Sequence, residues 1–236
     1  METIVDILVI IGIVSFSASG AMSAIDREMD AFGVLLMAVL TCFGGGLIRD
    51  VLVGASIGID RPWFFSGDPT ANLYIIISVV TAIAAFFIAL VFKKLYVMEE
   101  RLVLSINNIL DAIGIGVFAA MGTEKYLSTS PFIAITMGAV TCIGGGLIRD
   151  VIFCEIPSFL RKHVYVLPTI LGSAAYYIVA TIIFPAEEYG KMVATVTCLL
   201  IIFVIRMLAT YYKWNMPKAI DFKAMRENTN AENSDN

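Results

Sequence analysis

The sequence predicts an all-α polytopic membrane protein, with seven transmembrane helices arranged as two inverted three-helix repeats plus one extra helix. Three observations carry that prediction. Apolar residues make up 59% of the 236-residue chain and charged residues 15%, with a mean hydropathy of +0.87, whereas a soluble domain averages roughly 45–50% and about 25%. The apolar excess is gathered into uncharged blocks such as 7–25, 71–92 and 126–148, each close to the about 20 residues that a helix needs to cross a bilayer. Finally, an eleven-residue segment occurs twice, 100 residues apart. A soluble enzyme core is excluded.

The spans follow in order. The first, 4–25, ends at Asp26-Arg27-Glu28, and Glu2 and Asp6 are its only early charges. A secretory signal wants a basic segment there, so this span is expected to be retained. The second, 31–57, is followed by a loop from Asp60-Arg61-Pro62 to Gly67-Asp68-Pro69, in which Trp63, Phe64 and Phe65 suit a membrane interface. The third, 72–92, stops at Lys93-Lys94, and the fourth and fifth cover 102–123 and 131–154. Arg161-Lys162-His163 precedes the sixth, 164–184, which Pro185 and Glu187-Glu188 close before the seventh, 191–212. His163 is expected to sit solvated at the interface. Beyond Pro217 the chain turns polar, a composition that cannot support a packed core. The expected units are therefore 1–97, the first repeat; 98–187, the second; 188–214, the seventh helix; and 215–236, a disordered tail.

Lys and Arg in short loops set orientation. With the N-terminus outside, ten of them fall on the cytoplasmic side and three, Arg61, Lys125 and Lys191, on the outer side. Arg49, Arg149 and Arg206 lie within or at the edge of spans. The expectation is an N-out, C-in protein of the bacterial inner membrane.

The duplicated segment is Thr41-Cys42-Phe43-Gly44-Gly45-Gly46-Leu47-Ile48-Arg49-Asp50-Val51, repeated from Thr141 to Val151 with ten of eleven positions identical. Upstream, Phe16-Ser17-Ala18-Ser19-Gly20 resembles Phe118-Ala119-Ala120-Met121-Gly122. Each copy thus covers three spans. Three is odd, so the second unit enters the membrane from the opposite side. Such inverted repeats usually hold a substrate or permeation site at their interface.

Three adjacent glycines cost a helix roughly 3 kcal/mol relative to alanine. Two readings follow: spans two and five are kinked or interrupted at Gly44–Gly46 and Gly144–Gly146, or the glycines let a neighbouring helix approach closely. Charges near the bilayer centre are expensive. Arg49, Asp50, Arg149 and Asp150 are therefore candidates to line a pathway. Adjacent helical residues point about 100° apart, and pseudo-symmetry suggests cross-repeat pairs, Arg49 with Asp150 and Arg149 with Asp50. Asp111, Ser17 and Ser19 are further lining candidates; Asp111, like Asp6, can also be read as favouring a helix N-terminus. The four cysteines, Cys42, Cys142, Cys154 and Cys198, read as buried apolar fillers with no metal-ligand spacing. No cofactor, metal, nucleic-acid partner or nucleophile–base constellation is expected.

The duplicated Gly-Gly-Gly-x-x-Arg-Asp element resembles the bacterial family known as "glycine transporter", which includes the prokaryotic trimeric intracellular cation (TRIC) channels. Asp30-Ala31-Phe32-Gly33, Asp111-Ala112-Ile113-Gly114 and the stretch from Leu160 to Tyr165 share the resemblance, which runs from about residue 4 to 210. It implies a homotrimer with one hydrophilic pore per protomer, potassium-selective monovalent cation permeation, lipid at the subunit interface, and glycine kinks in helices 2 and 5. The pore would be flanked by Arg49, Asp50, Arg149 and Asp150. Asp30 departs from the internal symmetry, since Ser130 stands at its partner position. Two arginines favour anions, so cation passage requires their neutralisation. A small zwitterion such as glycine suits the same groups, and a secondary transporter is the alternative. A non-conducting scaffold, with the glycines only packing helices, is a third reading.

Overall fold

The computed structural model describes residues 2–57, 62–63, 67–161, 165–185 and 188–214. Seven of its helices are long and apolar enough to cross a membrane. They are α1 (Glu2–Ile25), α2 (Ala31–Ile57), α3 (Pro69–Val91), α5 (Glu100–Glu124), α6 (Pro131–Ile152), α8 (Val166–Ile178) and α9 (Glu188–Tyr211). A π-helical turn over Val179–Ile183 extends α8. Two short helices, α4 (Lys93–Met98) and α7 (Ser158–Arg161), occupy loops. Phe64, Phe65, Lys162, His163, Glu187 and the tail from 215 lie outside the described residues.

Helix starts are written in the local sequence. Proline opens both α3 and α6, preceded by Asp68 and Ser130 as caps that accept from the Thr70 and Ile133 amides. Asp30 does the same for α2, its Oδ1 accepting from Gly33 N at 2.8 Å. Asp30 and Ser130 thus differ in charge and share a capping role. Two helices end alike: Glu28 after α1 and Cys154 after α6 adopt left-handed φ of 56°. Behind them, the Met29 and Glu155 amides reach back five residues to Ala24 and Asp150. Cys154 is exposed in that turn, unlike buried Cys42, Cys142 and Cys198, so it is not the buried filler expected.

Equivalent helices of the two units pack on each other in opposite directions. In α1 and α5, Gly12 backs onto Val117, Gly114 onto Phe16, and Asn107 donates to Ser23. In α2 and α6, Thr41 meets Gly145 where Gly45 meets Thr141, and Gly44 meets Ile148 where Ile48 meets Gly144. As one number rises the other falls, so both pairs are antiparallel, as inverted repeats require. Phe16 and Phe118, equivalent residues of the two copies, stack face to face with centroids 5.0 Å apart.

The glycine triplets lie at this crossing. Both α2 and α6 stay α-helical through them, so the interruption expected there does not occur. Close approach explains the glycines instead. A Cβ on Gly45 would run into the Thr141 carbonyl, and one on Gly145 into the Thr41 carbonyl; one on Gly144 would sit 2.7 Å from the Gly45 Cα. Neighbouring backbones are stacked with no room for a methyl group, the small-residue packing that lets apolar helices associate in lipid. The third glycine differs: a Cβ on Gly46 or Gly146 would meet its own Arg49 or Arg149 guanidinium at an ordinary 3.7 Å.

Candidate functional site: two charged half-sites

Three residues past each glycine triplet, an arginine turns onto its own helix. Arg49 Nε and Nη2 lie 2.9 and 2.8 Å from Asp50 Oδ1, and Arg149 Nε lies 2.9 Å from Asp150 Oδ1. The cross-repeat pairs expected from symmetry, Arg49–Asp150 and Arg149–Asp50, do not form. The two Cβ directions do diverge, but the arginine arm is long enough to curl back onto the next carboxylate. The other carboxylate oxygen tethers the loop beyond: Asp50 Oδ2 accepts from Trp63 N at 3.0 Å and Asp150 Oδ2 from Ser158 N at 2.6 Å. All four charged side chains are buried.

Their wider surroundings differ. Asp50 gains a second cation from the other repeat, Lys125 at 2.8 Å, and Arg49 Nη1 donates to Thr141 Oγ1 at 3.4 Å. Arg149 instead approaches Asp111 at 3.7 Å. Asp111 belongs to a fuller cluster, accepting from Arg206 Nη1 at 2.8 Å and from the Tyr165 hydroxyl at 3.1 Å. The Arg206 guanidinium also lies 4.1 Å from the Tyr165 ring centroid. Asp111 is twelve residues inside its helix-forming sequence and buried. It is therefore no N-terminal dipole partner, whereas Asp6 is exposed.

Each half-site opens on its own space. A pocket of about 50 Å³ holds Arg49, Asp50 and Gly46 against Trp63, Tyr74 and Phe118. A larger polar cavity of about 340 Å³ holds Arg149, Asp150, Asp111 and Arg206, with Ser19 and Ser23 on its wall. Ser17 lines neither; it donates to Ser78 of α3 at 2.8 Å, a packing bond. At the mouth of the larger cavity Arg27 reaches Glu155 at 2.7 Å, joining the loops after α1 and α6. Burial raises the pKa of neighbouring Asp26, against the pull of the Tyr96 hydroxyl and Arg27. The duplicated motif identified Arg49, Asp50, Arg149 and Asp150, but Arg206, Tyr165 and Lys125 went unassigned. Arg206 carried a usable signal, because a lone charge within an apolar span must find a partner.

Fold and half-sites define an inverted-repeat membrane protein with a charged space on either side of a glycine crossing. A family profile described as glycine transporter matches residues 6–90 and 108–181. The UPF0126 inner membrane protein YadS of Escherichia coli (strain K12) is 36% identical over 203 residues, 84% of this chain and 89% of that protein. A prokaryotic TRIC channel crystallised in 0.5 M KCl superposes with a TM-score of 0.73 at 29% identity, covering 92% of this chain and 100% of that one. A TRIC cation channel solved to explain conductance gives 0.71 at 31% identity, covering 92% and 97%. The chain belongs to the glycine transporter family and shares the fold of its TRIC channels.

Proposed function

We propose that this protein is a monovalent cation channel selective for potassium, with one pathway per protomer of a homotrimer. The pathway runs from the larger cavity, past the α2–α6 crossing, to the smaller pocket. One observation carries the reading: every arginine at the pathway is matched by a carboxylate within its own cluster. In the larger cavity Asp26, Asp111, Asp150 and Glu155 face Arg27, Arg149 and Arg206, leaving a formal charge of −1. A water-filled space of that sign draws cations. The kinship with TRIC channels supports the same reading and a non-enzymatic role. Bending at Gly44–Gly46 and Gly144–Gly146 is the movement that would join the two spaces. The E. coli relative is an inner membrane protein; the same location, N-out and C-in, with lipid at the subunit interface, is proposed for this chain.

A second reading, transport of glycine or a similar zwitterion, draws on the arginines and carboxylates that share one cavity. Planar bilayers under a potassium chloride gradient, with and without glycine, separate the two. Discrete currents reversing near the potassium potential are expected. Silent bilayers beside saturable glycine uptake in liposomes would overturn the channel.

A further inference from the structure

The helix outside the duplication, α9, supplies one of the two buried cations of the larger cavity. Arg206 is buried, and its shortest ion pair is the 2.8 Å contact with Asp111 Oδ2. Arg149 is farther from that carboxylate, at 3.7 Å, and spends its Nε on Asp150. Asp111 has no equivalent in the first repeat: Gly12 and Gly114 are matched at an offset of 102 residues, which sets Val9 at its place. This carboxylate therefore belongs to one half-site only.

Two residues lining the same cavity carry buried oxygens without a hydrogen bond. Ser19 lines the same cavity, is fully buried, and its hydroxyl makes no hydrogen bond. The α1–α5 register, set by Phe16 against Gly114 and Ser23 against Asn107, puts Ser19 opposite Asp111. Asn107, one helical turn before Asp111, presents a buried Oδ1 without a partner. Carboxylate, hydroxyl and amide oxygens are the ligand set of hard cations. The Arg206 guanidinium, held on α9, satisfies the carboxylate and makes no hydrogen bond to either of the two remaining oxygens.

We propose that Asp111, Ser19 and Asn107 form a monovalent-cation site in the larger cavity, and that Arg206 is its tethered counter-cation, exchanging with the permeant ion. The proposal rests on the cation-pathway reading. Withdrawing Arg206 shifts the cavity from −1 to −2 by the same count of charges. One unit charge at about 4 Å changes cation occupancy roughly fivefold in water.

The test uses the purified full chain and three variants, Arg206→Gln, the double variant Arg206→Gln/Asp111→Asn, and Ser19→Ala. Thermal unfolding is compared in potassium chloride and in N-methylglucamine chloride at equal ionic strength, and conductance is recorded in bilayers. Potassium is expected to raise the melting temperature of Arg206→Gln and to leave the double variant unmoved. Arg206→Gln is expected to conduct potassium roughly fivefold better than the wild type. A folded Arg206→Gln protein indifferent to potassium in both assays would overturn the site. Should that variant fail to fold, Ser19→Ala decides: lower potassium conductance at unchanged stability supports the site, and unchanged conductance overturns it. A silent wild type with a potassium-stabilised Arg206→Gln would sink the channel reading and keep the site.

Discussion

Arg49 and Arg149 leave two nearly identical segments at the same place, yet they meet different company. In the first half-site Asp50 is shared by Arg49 and Lys125, and the space beside it is small. In the second, Arg149 and Arg206 are shared between Asp150 and Asp111, and the space is several times larger. Duplication supplied the crossing and the Arg-Asp pair. The rest came from residues outside the repeated segment. Lys125 stands just past the end of α5, Arg206 on the unpaired α9, and Asp111 where the first copy has Val9. The shared parts hold the two units together, and the unshared parts give the two spaces different charge.

The largest effect should come from the shared part. Gly45→Ala and Gly145→Ala each press a methyl group into the opposing carbonyl, and each should destabilise by about 3 kcal/mol or more. Thermal unfolding in detergent should show nearly equal losses. A much smaller loss at one position would break the symmetry of the crossing.

Next come the carboxylates, where the half-sites should part. Asp50→Asn removes the carboxylate charge that pairs with Arg49, so a loss of about 2–3 kcal/mol is expected. Asp150→Asn leaves Arg149 its contact with Asp111, so the loss should be clearly smaller, about 1–2 kcal/mol. Equal melting temperatures for these variants would remove the claimed difference. The smallest effect belongs to Lys125→Met. Its side chain is a third exposed, and solvent screening should hold the change to about 1 kcal/mol or less.

Much of the fold is legible in the sequence because the bilayer imposes a length that hydropathy reports directly. The seven spans, their loops and the antiparallel relation of the repeats follow from block lengths, the duplication and the parity of three. The short helices α4 and α7 and the π-helical turn at Val179–Ile183 carry no comparable signal in the hydropathy. At the site, the motif exposed the right four charges and misdirected their pairing. Symmetry favours reciprocal partners, while the reach of an arginine side chain makes its own neighbour available at lower cost. Propensity likewise points to a break at the glycines. Helix-on-helix packing offsets that penalty, because the same missing methyl groups allow two backbones to touch.

The central claim is that each arginine is neutralised within its own half-site. Two double-mutant cycles on one residue test it: Arg149→Gln with Asp111→Asn, and Arg149→Gln with Asp50→Asn, each followed by equilibrium unfolding. Coupling of about 0.5–3 kcal/mol is expected in the first, with additivity in the second to within about 0.5 kcal/mol. Strong coupling between Arg149 and Asp50 beside none with Asp111 would contradict the account.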